Sequence, residues 1–135
     1  MKDFGIDSEF KNGKIKISAV QKYQNPHIYK VEPDFSSAAY FWALGALSDD
    51  FICTEGIYRN TFQSDYNFLK ILQETGAKIS IDNDKICVKT GRLKGIEIEM
   101  KNMPDQVPTL AVLALLAESE TLISNISHLR YKESD

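Results

Sequence analysis

The sequence predicts an α+β fold in which a run of alternating helices and strands begins to repeat. Three observations carry this. Two long apolar stretches, "SSAAYFWALGAL" and "VPTLAVLALLAESE", have helical spacing, and each is followed by a short strand-like run. Between them lie strands that alternate in period two around tight turns. Placing Asp34 over Asp105 gives an offset of 71 (105 − 34), at which Ala43 falls on Ala114, Leu44 on Leu115, Ala46 on Ala117 and Ile52 on Ile123.

Taken in order, residues 5–19 read as a hairpin, "GIDSEF" and "KIKISA" around a "KNG" turn, with Ile15 and Ile17 on one face. Pro26 and Pro33 keep the next, polar stretch out of helix. Asp34 or Ser36 then caps the first apolar helix, and "FICTEGI" follows as a strand. Ser64 is expected to cap a second helix, "DYNFLKILQETGA", which buries Phe68, Leu69, Ile71 and Leu72 and ends at Gly76. "AKISI", a "DND" turn and "KICVKT" make a second hairpin, and "GIEIEM" is one more strand. Asp105 is expected to cap the third helix, with Pro108 tolerated in its first turn. "TLISNI" closes the series as a strand. Ser64-Asp65 falls on Ser134-Asp135 at an offset of 70, so a further helix is expected after Asp135 and the chain reads as cut from something longer.

Composition narrows the function. At 135 residues the chain can build one ordinary core. Its net charge of −3 and scattered basic residues give no reason to expect a nucleic-acid partner. No apolar run approaches the roughly 18 residues of a membrane span. The start lacks the layout of a signal peptide, so a cytoplasmic location is expected. Cys53 and Cys87 lie in apolar strand runs without metal-type spacing, and read as reduced core residues.

Common phosphate-loop, dinucleotide, zinc-protease and serine-hydrolase motifs are absent. What remains are Asp34 and Asp105 at helix starts and a terminal cluster of His128, Arg130, Lys132, Glu133 and Asp135. The ordinary role of such Asp residues is to accept a bond from an orphan helix N–H. The ordinary role of "RYKESD" is a solvated loop. The chemical alternative brings a carboxylate and a Lys-Glu pair to one cleft, with Lys holding an anion and a carboxylate moving a proton.

The stretches "VEPDFSSAAYFWALGAL" and "NMPDQVPTLAVLALLAESETLISNISHLRYKESD" resemble two signatures of the 5-enolpyruvylshikimate-3-phosphate (EPSP) synthase family. "QKYQNPHIYKVE" and "LQETGAKI" are similar as well. The resemblance runs from about Gln21 to the end of the chain. It implies βαβαββ units of the enolpyruvyl transferase type, three to a domain, with substrates between two domains. Residues 1–30 would then end the first domain and its crossover. Residues 31–135 would belong to the second, with 31–100 one unit and 101–135 the start of the next.

The implied reaction transfers enolpyruvyl from phosphoenolpyruvate to the 5-hydroxyl of shikimate 3-phosphate and releases phosphate, without metal or organic cofactor. By the same resemblance Asp105 binds that hydroxyl and accepts its proton, and Glu133 exchanges a proton with the methylene of phosphoenolpyruvate. Lys132 contacts shikimate 3-phosphate, and His128 stands where many members carry an Asn that does so. Pro33 departs from a common Gly. The Arg that follows Ser-Asp in the family would be residue 136, so the chain alone is expected to be inactive. The alternative is a short non-catalytic binding or assembly module of the same fold, able to self-associate through its incomplete unit. A third reading, transfer to a UDP-amino sugar, is disfavoured by the Ser-Ser-Ala-x-Tyr-Phe run.

Overall fold

A computed structural model describes residues 1–57 and 61–132. The chain divides into two compact units, Met1–Glu32 and Pro33–Asp135.

In the first unit, β1 (Ser8–Lys11) pairs antiparallel with β2 (Lys14–Ile17). The two-residue turn between them needs positive φ twice, and Asn12 (φ 51°) and Gly13 (φ 69°) provide it. Phe10 sits opposite Ile15 and Ser8 opposite Ile17, so Phe10, Ile15 and Ile17 share one face, as expected for the isoleucines. All three side chains are exposed. Behind the hairpin, the Gln21 amide imitates a strand neighbour: its Oε1 accepts from the Asp7 N–H at 2.8 Å and its Nε2 donates to the Asp7 carbonyl at 3.1 Å.

The second unit is built around α1 (Phe35–Ala46). Phe35, Ala39, Trp42 and Ala46 are fully buried. Their i, i+4, i+7, i+11 spacing draws one stripe along the helix. The helix packs on β3 (Ile52–Thr54) and β5 (Lys85–Lys89), and touches both other helices. The sheet has the order β3-β5-β4, with β4 (Lys78–Asp82) and β3 both antiparallel to the central β5. Ile86 and Val88 point inward from β5 and are buried, while Ile79 and Ile81 of β4 pack at the margin of the same core. Buried Trp42 also needs a partner for its indole N–H, and the Thr54 hydroxyl accepts it at 2.8 Å.

A 3₁₀ turn over Ser64–Asn67 leads into α2 (Phe68–Glu74), which buries Phe68, Leu69, Ile71 and Leu72 as expected and gives out before Gly76. Ser64 does not cap this helix. The chain enters the 3₁₀ turn first, and no side-chain cap bond forms at either start. Beyond the sheet, β6 (Glu97–Glu99) pairs in parallel with β7 (Leu122–Ser124), and α3 (Val107–Ala114) makes the crossover between them. A 3₁₀ turn over Pro104–Gln106 precedes the third helix, which starts with its apolar pattern at Val107 but ends at Ala114, short of the pattern's end at Glu120. A last 3₁₀ helix covers Ser127–Tyr131, and Ser134-Asp135 lie outside the described residues. Tyr40, Phe41 and Leu44 of α1 and Val112 of α3 are exposed, as are Leu115 and Leu116 just beyond it.

The cysteines overturn their reading as reduced core residues. Cys53 and Cys87 are directly opposite one another on β3 and β5 and are joined by a disulfide. Neither is buried. Period-two alternation turns Ile86 and Val88 toward α1, and so turns Cys87 to the outer face with Cys53.

The approach of α1 to the sheet depends on Gly45. A Cβ at this position would stand 2.5 Å from the Val88 carbonyl oxygen, a backbone atom that cannot swing aside. Alanine would gain up to about 1 kcal/mol of helix propensity. Overpacking costs about 1–3 kcal/mol or more. Gly45→Ala is therefore expected to be destabilising by about 1–2 kcal/mol in urea unfolding, and a variant more stable than the parent would contradict this packing.

Candidate functional site

The helix starts of the second unit are tied to one another by polar side chains. Helix N-termini leave N–H groups without partners, so each start recruits an acceptor. At α1 the recruit is Asp34, which settles the sequence-level choice between Asp34 and Ser36. Its Oδ1 accepts from the Ser36 N–H at 2.9 Å and the Ser36 hydroxyl at 2.6 Å, and its Oδ2 accepts from the Ser37 hydroxyl at 2.7 Å. The Ser36 and then the Ser37 hydroxyl hold the Asp34 carboxyl down at about 2, from an ordinary 3.8. The Phe35 N–H is taken by Gln63, whose Oε1 accepts it at 2.9 Å while Nε2 donates to the Pro33 carbonyl at 2.8 Å.

Two residues on, Asp65 receives the Gln106 amide, Nε2 to Oδ1 at 2.8 Å. Gln106 is 1% exposed, so this bond fixes the 3₁₀ turn before α3 against the one before α2. Asp105, next to Gln106, is turned to solvent. It is no N-cap: no side-chain cap bond forms at Pro104–Gln106 or at α3. Its Oδ1 instead accepts from the Lys132 ammonium, across 27 residues of sequence. About half of the Asp105 side chain and a third of the Lys132 side chain remain exposed. A pair this open is worth at most about 1 kcal/mol and exchanges readily with an incoming ligand.

The structure thus brings Asp105 and Lys132 together. His128 lies one turn before Lys132 in the last 3₁₀ helix and is half-buried. Its Nε2 is enclosed, with no hydrogen-bond partner among the described residues. Glu133 lies outside the described residues. Sequence reasoning missed Gln63 and Gln106. Their positions gave some signal, since each directly precedes or ends a helix start, but a buried Gln at a 3₁₀ turn has no period to betray it.

An α+β unit with three α-helices, a three-stranded antiparallel sheet and a separate two-stranded parallel one among its described residues has the fold of the enolpyruvyl transferases. NikO of Streptomyces tendae, an enolpyruvyl transferase, shares that fold at a TM-score of 0.60 and 15% identity, over 96% of this chain and 34% of its own. EPSP synthase from Acinetobacter baumannii is nearer, with a TM-score of 0.82 and 27% identity over 99% of this chain and 33% of that one. All of residues 1–135 match the family described as EPSP synthase (3-phosphoshikimate 1-carboxyvinyltransferase), and the chain belongs to that family. The 3-phosphoshikimate 1-carboxyvinyltransferases of Actinobacillus pleuropneumoniae serotype 5b and Proteus mirabilis are 43% and 41% identical to it over 136 and 133 residues. The chain spans about a third of the length of these relatives, 31% in both cases.

Two substitutions test the helix starts. Asp34→Ala is expected to cost about 1 kcal/mol at neutral pH. Because the folded carboxyl titrates below its unfolded value of 3.8, the Asp34 contribution is complete above that pH and disappears as pH falls through about 2. Urea titrations should show parent and variant converging at the acid end. Gln106→Ala leaves Asp65 without its amide and is expected to cost about 1–3 kcal/mol by the same measurement.

Proposed function

We propose that this chain forms one wall of the active site of an EPSP synthase, and that the bond between Lys132 and Asp105 marks the position of shikimate 3-phosphate. In this reading the whole protein moves enolpyruvyl from phosphoenolpyruvate to the 5-hydroxyl of shikimate 3-phosphate. The hydroxyl oxygen bonds to C2 of phosphoenolpyruvate, its proton passes to a carboxylate, and C3 gains a proton. Loss of a C3 proton with departure of phosphate from C2 then restores the double bond. Carboxylates that exchange protons and cations that hold anions suffice for these steps.

Asp105 is the acceptor for the hydroxyl proton. Its carboxylate is already aligned by an ammonium and turned to solvent, where the 5-hydroxyl of the ligand can reach it. Lys132 holds shikimate 3-phosphate: an anionic ligand competes for the ammonium, and the exchange frees an Asp105 lone pair for the hydroxyl. Glu133 follows Lys132 directly in sequence and serves the methylene proton. A substrate contact from His128 would use Nδ1, since Nε2 is enclosed.

Residues 1–30 are assigned to the end of one domain and 31–135 to part of the other, a division supported by the change of compact unit between Glu32 and Pro33. The exposed apolar residues of α1 and α3 would be covered by the rest of that second domain. With one wall of a cleft, this chain alone cannot hold two substrates in near-attack geometry, and it is expected to be inactive.

The test uses the full-length protein that carries this segment, assayed for phosphate release with both substrates. Asp105→Asn and Glu133→Gln are each expected to lower kcat at least about 100-fold, the scale of acid–base catalysis, with the unfolding midpoint unchanged. Lys132→Ala should act mainly on the KM for shikimate 3-phosphate. Parental kcat in Asp105→Asn would remove Asp105 from the chemistry.

A further inference from the structure

The disulfide lies on the side of the sheet that the core does not use. Helix α1 covers the inner face of β3 and β5, through Trp42, Thr54, Ile86 and Val88. Cys53 and Cys87 stand on the outer face, Cys53 exposed and Cys87 half-exposed. Cys53 and Cys87 are register partners whose Cα atoms stand 4.0 Å apart in the bonded form, and antiparallel pairing by itself keeps such partners within about 4.5–5.5 Å. The backbone ladder therefore holds the two sulfurs together in either oxidation state, and breaking the bond opens no cavity in the core.

Their face of the sheet carries three lysines against two carboxylates, Asp82, opposite Lys85 on β4, and Glu55, just past the end of β3. Lys85 and Lys89 are two residues before and after Cys87 and share its face. Lys78 stands opposite Lys89 on β4. Lys85 is drawn toward Glu55 at 2.8 Å, and the Lys89 ammonium lies 4.8 Å from the centre of the Phe51 ring. Ammonium groups beside a cysteine favour its thiolate, the nucleophile of disulfide exchange, and attract anionic thiol compounds.

We propose that Cys53 and Cys87 are a reversible redox-modification site, oxidised by low-molecular-weight anionic disulfides, that latches edge strand β3 to the centre of the sheet. In the first step one cysteine thiolate attacks a sulfur of the disulfide R–S–S–R, forming a protein–S–S–R bond and releasing one R–S⁻. In the second, the other cysteine thiolate attacks the protein sulfur and releases the second R–S⁻. The protein loses two electrons and two protons, and the small disulfide is reduced to two thiols. A dithiol reverses both steps.

The latch has a mechanical target. β3 is a three-residue edge strand bonded on one side only within its sheet. Thr54, beside Cys53, accepts the indole N–H of Trp42. Closing the bond also ties a loop with a sequence separation of 34, which includes α2, and so restricts the unfolded chain. Oxidation therefore stabilises the sheet on which α1 rests, and reduction loosens it without dismantling it.

The experiment uses the 135-residue chain, whose two cysteines are its only thiols and whose single tryptophan reports on the β3 contact. The reduced chain is mixed with glutathione disulfide, and free thiols, intact mass and thermal midpoint are followed. Thiols are expected to fall from two to none, with a mass loss of two hydrogens and no retained glutathione. The thermal midpoint by tryptophan fluorescence should rise by about 5–15 °C, and dithiothreitol should return it without denaturant. Cys53→Ser should instead trap one glutathione on Cys87, with no comparable rise. Thiols that stay free in excess glutathione disulfide would overturn the proposal. So would a bond that resists dithiothreitol until the chain is unfolded, or equal midpoints for the two forms.

Discussion

The second unit depends on how closely helix α1 can lie on its sheet. Its inner stripe alternates small residues with two large aromatic rings. Ala38, Ala39, Ala43, Gly45 and Ala46 let the helix backbone approach β5, and Phe35 and Trp42 fill the space left at either side. The aromatic rings are set edge to face, 6.2 Å between centroids, and Tyr66 meets Phe35 from the turn before α2. This one contact sets the height of α1 over β3 and β5, and therefore where its first turn emerges. Asp34, Gln63 and the 3₁₀ turn at Ser64–Asn67 are all placed by that emergence.

The polar edge is then a consequence of helix chemistry. Unsatisfied N–H groups at each start attract acceptors, and acceptors packed between neighbouring starts have to be satisfied in turn. Gln63 serves two backbone groups, and Gln106 reaches across to Asp65. Asp105 escapes this economy: the turn that carries it does not use its carboxylate, which is left to meet Lys132 in solvent. A helix start that caps itself has no carboxylate to spare. Asp34, with both oxygens bonded to its own first turn, serves as the contrast.

Much of this was legible in the sequence. Helix periodicity identified α1, α2 and α3, period-two alternation identified both hairpins, and Asp-Phe-Ser-Ser narrowed the cap of α1 to Asp34 or Ser36. The two 3₁₀ turns were not legible. Asp105 and Ser64 carry the residue types of N-caps, but each lies within a 3₁₀ turn that comes before the α-helix, and residue type does not encode that tightening. The cysteines were misread for a different reason. Apolar neighbours suggested a core, although the period-two alternation that turns Ile86 and Val88 inward puts Cys87 on the opposite face. The meeting of Asp105 and Lys132 rests on the parallel crossover between β6 and β7, a long-range pairing that no local pattern specifies.

That crossover has its own consequence for handling the chain. β6 and β7 form a two-stranded parallel ribbon of three residues each, with no further strand beside either in the described residues. Its outer backbone groups offer a template to any extended segment in reach. Exposed Glu97 and Glu99 place negative charge along β6, whereas β7 presents exposed Leu122. Colloidal stability should therefore be set at the β7 side, where strand-to-strand contact between molecules meets the least charge repulsion.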